Sequence, residues 1–169
     1  MKITMRWGSH IPVLLKLLEH TTGNVLELGM GLYSTPLLFW ACVSQDRDLV
    51  SYENYEKYLN LFGKNNNTHH ETHLIADWTT IDLSRHFDIG IIDVNPMEFR
   101  SYLAVRIEDL VDYIVLHDSN PKEDNFYHYS GIYSRFKYRF DYNIFNPHTT
   151  VISKMCSLEF LNDLKILQK

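Results

Sequence analysis

Residues 25–38 read VLELGMGLYSTPLL. An apolar run broken by Glu27 meets two glycines, Gly29 and Gly31, and Ser34-Thr35-Pro36 then opens a second apolar run. This is the layout of a strand, a tight turn and a helix start: glycine frees the backbone for the turn, and proline suits the first helical turn. Such a unit brings the unpaired N–H groups of a helix N-terminus up to a ligand. The dinucleotide-binding version wants a third small residue, Gly or Ala, where this chain has Ser34, and it holds phosphates, for which Glu27 is a poor neighbour. The loop predicts a ligand other than a pyrophosphate.

Working outward, short and nearly continuous apolar runs recur at residues 24–28, 48–53, 72–77, 87–94 and 112–118, with helical patterns between them. Val13, Leu14, Leu17 and Leu18 mark a first helix with Ser9 as its cap, and Ser34 or Thr35 caps the second, which runs to about Val43. Tyr55, Tyr58, Leu59 and Phe62 repeat at helical spacing before Gly63, and Phe99, Leu103, Val105, Ile107 and Leu110 mark another helix. Strands of this kind alternating with helices predict a parallel sheet covered on both faces. Residues 138–145 and 149–154 instead read as an antiparallel hairpin around Asn146-Pro147-His148, and a final helix is expected over about 157–167. The expected fold is α/β: a three-layer, doubly wound, Rossmann-like sandwich, mostly parallel, closing in an antiparallel C-terminal hairpin, with all 169 residues in one domain.

Bulk properties narrow the function classes. The net charge of −5 argues against a chain that binds nucleic acid by overall charge. Two cysteines, Cys42 and Cys156, in apolar contexts read as free thiols of a reducing compartment. The N-terminus lacks the pattern of a signal peptide, and no apolar run approaches the ~20 residues of a membrane span. A cytoplasmic protein without membrane contact is the expectation; the oligomeric state is open.

The informative residues are acidic. Glu27, Glu53, Asp77, Asp93 and Asp118 each fall at or just past the carboxyl end of an expected strand, the edge where open α/β sheets bind ligands. Asp and Glu are also ordinary loop starters, so any one of them alone would say little. Together they disfavour bare phosphates, and with them NAD or ATP. They suit a ligand with positive charge and ribose hydroxyls, and S-adenosylmethionine is such a ligand. Glu53, at the end of the second strand, is placed to accept the ribose hydroxyls.

On these residues the chain resembles the class I S-adenosylmethionine-dependent methyltransferases over nearly its whole length. Its E-x-G-x-G loop (Glu27, Gly29, Gly31, followed by Ser34) resembles that family's first motif and SYE, ending at Glu53, its second. IADW resembles the segment that contacts adenine, which implies Asp77 at the adenine edge and Trp78 beside the ring. The terminal hairpin is also a habit of the family. The implied activity is methyl transfer to an unidentified acceptor, expected to be a small molecule. Catalytic candidates are Asp93, after the fourth strand, and His117-Asp118, after the fifth; Asp93 also falls among the cofactor-binding candidates.

IIDVNP and IVLHDSN further resemble small-molecule O-methyltransferases, some of which hold a divalent metal. Asp93, Asp118 and Asn120 offer the oxygen ligands for Mg²⁺ or Ca²⁺. Ser119, however, separates two residues that the pattern keeps adjacent, so no metal is favoured. The motifs of base-methylating DNA enzymes are absent, which leaves a nucleic-acid acceptor unsupported. His69, His70 and His73 lack zinc-ligand spacing. In FKYRFDY, strand alternation puts aromatics inside and Lys137 and Arg139 outside. Ser9-His10 either closes over a bound ligand or simply caps a helix. The alternatives to methyl transfer are a lyase or hydrolase acting on S-adenosylmethionine and a non-catalytic scaffold that binds it.

Overall fold

The computed structural model describes residues 5–62 and 68–166; the expected helix stop at Gly63 and the end of the last helix lie outside them. Strands β1 (Val25–Leu28), β2 (Leu49–Glu53), β3 (His70–Leu74), β4 (Phe87–Ile92), β5 (Val111–His117), β6 (Tyr138–Tyr142) and β7 (Thr149–Ser153) form one sheet in the order β3-β2-β1-β4-β5-β7-β6. The first five are parallel, whereas β7 runs antiparallel to both β5 and β6. The chain starts in the middle of the sheet, winds outward to β3, then crosses back to β4. The order therefore reverses beside β1, the place where ligands bind in such sheets.

Alternation along each central strand feeds two cores. Val25, Leu49, Ile89, Ile91, Val115 and Val151 point to one face, where α1 (Ile11–His20), α2 (Ser34–Ser44) and the C-terminal turns supply Leu14, Leu17, Leu38 and Leu161. Leu26, Val50, Ile92, Ile114, Leu116 and Ile152 point to the other, covered by α4 (Phe99–Arg106) and the turns of residues 121–136. The remaining α3 (Glu56–Phe62) follows β2 and buries no residue fully. Helices α5 (Asp124–Tyr127) and α6 (Asp163–Ile166) are single turns.

Some local expectations change. His10, not Ser9, precedes α1, because the Ser9 hydroxyl is engaged across the fold with His117, at 3.2 Å. Tyr33 precedes α2, and Thr35 serves the loop from inside the helix by accepting the Gly31 N–H at 2.9 Å. β3 ends at Leu74, where a strand running to Asp77 was expected, because the chain turns away once the Ile75 N–H has bonded the Glu53 carbonyl. The last helix breaks into a 3₁₀ turn (Glu159–Asn162) followed by α6. In the β6 region Phe136, Phe140 and Tyr142 are buried and Lys137 and Arg139 exposed, as strand alternation requires.

Gly29 locks the first turn. Its φ is +91°, and a Cβ there would lie 2.3 Å from the Asp93 carbonyl oxygen, so only glycine lets the end of β1 pass the end of β4. Gly29→Ala is accordingly expected to destabilise by about 2 kcal/mol or more, from backbone strain plus overlap with main chain. Gly131, with nothing within 4 Å of its virtual Cβ, is the control, and Gly131→Ala leaves stability within about 0.5 kcal/mol. Urea denaturation of the pair measures the difference.

Candidate functional site

At the carboxyl ends of β1, β2, β4 and β5 lies a cleft of about 540 Å³. One wall is the glycine loop and the start of α2, Met30 to Ser34; the next is Glu53 with Asn54 and Tyr55. Across from them stand Asp93, His117 and Asp118, with His10 and Trp7 arriving from the N-terminal segment.

Glu53 ends β2 and is almost wholly buried. Its Oε2 accepts the Met30 N–H at 2.7 Å and its Oε1 the Tyr55 N–H at 2.6 Å. Burial raises its pKa while these N–H groups oppose the rise. A carboxylate oxygen accepts more than one hydrogen bond, so this pinned group keeps capacity for a pair of hydroxyls in the cleft. Gly31 to Ser34 line the same space at a helix start, where first-turn N–H groups lack helical partners.

The opposite wall is a charge cluster. Arg100, from α4, donates from Nη2 to Asp93 Oδ1 at 2.5 Å and from Nη1 to Asp118 Oδ2 at 3.3 Å. It also donates to the carbonyls of Val94 and His117, at 2.9 and 3.2 Å, and lies over the Tyr127 ring. His117 Nδ1 is 3.2 Å from Asp93 Oδ2. Burial alone would raise the Asp93 pKa, but His117 and Arg100 outweigh it and hold the carboxyl well below the usual range. Burial would lower His117, but Asp93 reverses that and raises it. Ser9, His117 and Asp93 line up like a hydrolase triad, yet Ser9 is 2% exposed and off the cleft wall. Its hydroxyl anchors the N-terminal segment instead of presenting a nucleophile.

Of the five acidic residues expected on the rim, the structure brings Glu53, Asp93 and Asp118 together and leaves two elsewhere. Glu27 shares the Val25 face of β1 and points under α2, wholly buried, where it accepts the hydroxyls of Thr35 (2.9 Å) and Ser51 (2.8 Å). Burial pushes its pKa up to about 7 against these hydroxyls. It shapes the loop from below and is not among the residues that line the cleft. Asp77, past the early end of β3, is exposed and caps a 3₁₀ turn through the Thr79 N–H. Trp78 is a core residue whose indole N–H is given to the Asn95 carbonyl at 3.1 Å, so neither residue reaches the cleft wall. Gly29 serves strand packing, whereas Gly31 and Ser34 do line the cleft.

The proposed oxygen ligand set for a metal is not assembled either. Asn120 turns away to bond Asn146 and the His148 N–H, both at 2.9 Å, which holds the β6–β7 connection. Asp93, His117 and Asp118 do place ligand-type atoms within 4.8 Å of one another, but Arg100 already supplies their cation. Among the histidines of THHETH, His70 bonds Ser51 at 2.9 Å inside the fold while His73 pairs with Glu71 outside, since odd spacing along a strand divides the faces. Arg100 carried no motif. The signal for it was indirect: clustered strand-end carboxylates need a countercharge, and the first arginine after Asp93 is seven residues on.

No protein-family model matches this chain, and no curated protein matches it in sequence. Solved structures match its fold. The N-terminal domain of human METTL16, solved with S-adenosylhomocysteine, aligns with a TM-score of 0.60 over 92% of this chain and 73% of its own, at 7% identity. The S-adenosylhomocysteine-bound methyltransferase PaMTH1 of Podospora anserina also scores 0.60, over 89% and 79%, at 12% identity. A dimethyladenosine transferase from Plasmodium falciparum scores 0.56 at 16% identity over 83% of this chain, which spans 61% of that protein's length. The fold is therefore that of the class I S-adenosylmethionine-dependent methyltransferases.

Burial keeps His10 and His70 neutral, with pKa values lowered to about 3 and about 4. The unfolded chain protonates them near pH 6.5, so each costs stability as pH falls below that value, by up to about 1.4 kcal/mol per unit. Glu27 acts in the opposite sense between about pH 7 and its unfolded value. Replacing His10 removes one of the acid-labile terms. His10→Phe should gain stability relative to the wild-type chain as pH drops from 6.5 to 4, measured by denaturant titration; a difference that does not change with pH would contradict a neutral buried His10.

Proposed function

We propose that this chain is an S-adenosylmethionine-dependent methyltransferase whose cofactor occupies the cleft between the glycine loop and Glu53. The observation that carries the reading is Glu53: a carboxylate at the end of β2, pinned by two backbone N–H groups, on a wall shared with the start of α2. Glu53 would take the ribose hydroxyls, and the N–H groups at the start of α2 the single carboxylate. When bound, S-adenosylmethionine supplies a methyl group on a sulfonium. The acidic walls favour that positive charge and disfavour a pyrophosphate. Two structural neighbours were solved with S-adenosylhomocysteine, which supports the same cofactor here.

Asp93, His117 and Asp118 form the acceptor side. Asp93 is held ionised by its neighbours His117 and Arg100 and acts as a fixed charge. The His117-Asp118 pair is the candidate base of the cluster, with Asp93 orienting the His117 ring. The acceptor is a small molecule on this reading: the cleft volume is that of a small-ligand site, and the chain carries net negative charge. A nucleic-acid acceptor is the second reading, favoured by the dimethyladenosine transferase among the neighbours. Steep loss of acceptor binding with salt would mark that case.

Calorimetry with S-adenosylhomocysteine tests the assignment. Glu53→Ala should weaken binding by about 1–3 kcal/mol, the cost of stranding buried hydrogen-bonding groups. Asp93→Asn should leave it within a few-fold. Unchanged affinity in Glu53→Ala would remove the ribose from β2, and a larger loss in Asp93→Asn would move Asp93 into the cofactor site.

A further inference from the structure

The mechanism leaves one buried group on the cleft wall without a task. His10 is 2% exposed and lines the cleft, yet neither Nδ1 nor Nε2 has a hydrogen-bond partner among the described residues. Buried polar groups in folded proteins are almost always bonded, so a ring with two orphaned nitrogens beside a cavity marks a place where a ligand completes the bonding. The ring is also held in place. The Ser9 hydroxyl ties the preceding residue to His117 Nε2, the His10 carbonyl accepts the Leu14 N–H at 3.0 Å, and the ring stands edge-to-face with His117 at 4.7 Å.

We propose that His10 binds the methyl acceptor, and that this acceptor is an uncharged alcohol, phenol or amine rather than an anion; the proposal rests on the methyltransferase reading above. A neutral imidazole presents an N–H at one ring nitrogen and a lone pair at the other, and a hydroxyl or amine can satisfy whichever of the two it meets. An anion would use only the donor, and it would sit beside Asp93 and Asp118. The Arg100 guanidinium that balances those carboxylates is already engaged by them and by two backbone carbonyls. Arg6 stands at the cleft too, but it is exposed to solvent. Burial keeps His10 unprotonated, its pKa lowered to about 3. Trp7 and Pro147 add apolar surface to the same cleft, which suits a flat ring.

Phenol, aniline and benzoate share a ring and differ in the group offered to His10. The test titrates each into wild-type protein saturated with S-adenosylhomocysteine, with ring-labelled histidine observed by NMR and His10 assigned from His10→Phe or His10→Gln. Phenol and aniline should shift the His10 resonances, with benzoate binding at least tenfold more weakly. His10→Phe should lose phenol binding at least tenfold while its affinity for S-adenosylhomocysteine stays within twofold, and His10→Gln, which keeps a donor and an acceptor, should recover part of the loss. The proposal is overturned if benzoate shifts His10 as strongly as phenol, if no probe shifts it, or if phenol binds His10→Phe as tightly as wild type. Should His10→Phe fail to fold, the wild-type titrations decide by the same criteria. Should S-adenosylhomocysteine fail to bind, the cofactor reading falls separately, and the probes are scored on the free protein.

Discussion

The guanidinium of Arg100, buried between the ends of β4 and β5, is the constraint on which the site depends. Adjacent parallel strands lie under 5 Å apart, so carboxylates just past both ends would repel each other. Arg100 bonds both, and it bonds the carbonyls of Val94 and His117 on the same two chain segments. Five donors in a fixed fork can do this, which a lysine could not. The arrangement costs desolvation, and its return is geometric specificity more than stability. It sets where Asp93 points, helps keep it ionised, and thereby orients His117.

A second polar chain does the corresponding work on the glycine-loop side of the cleft. It runs from His70 on β3 to Ser51 on β2, to Glu27 on β1, to Thr35 on α2, and ends on the Gly31 N–H. Three neighbouring strands are thereby tied to the glycine loop from beneath the sheet. Glu27 therefore works as a buried scaffold. The loop takes its shape from inside, while Gly29 gives the backbone room to pass Asp93.

The fold was legible because its signals are local and repeated: continuous apolar strands, a glycine turn, and a closing β-branched hairpin. The strand-end position of Glu53, Asp93 and Asp118 followed from the same pattern. What stayed hidden depends on facts that residue order does not carry. Glu27 lies one residue before the end of β1, and that single step turns its side chain to the α2 face. Asp77 and Trp78 missed the cleft because edge strand β3 stops three residues before Asp77. Ser9 and Asn120 are bound to residues 26 to 108 positions away, and Arg100, beside its near partners Asp93 and Val94, reaches His117 17 positions on; no spacing rule anticipates such distant partners. His10 stands out only through the partners that it lacks, which a sequence does not display.

The central claim is that this cleft takes a cationic, phosphate-free nucleoside cofactor. Isothermal titration of the wild-type chain with S-adenosylmethionine, S-adenosylhomocysteine and NAD tests it most directly. The account predicts saturable binding of the first two at one site per chain and none of NAD at the same concentrations. Binding of NAD with neither of the other two would contradict it.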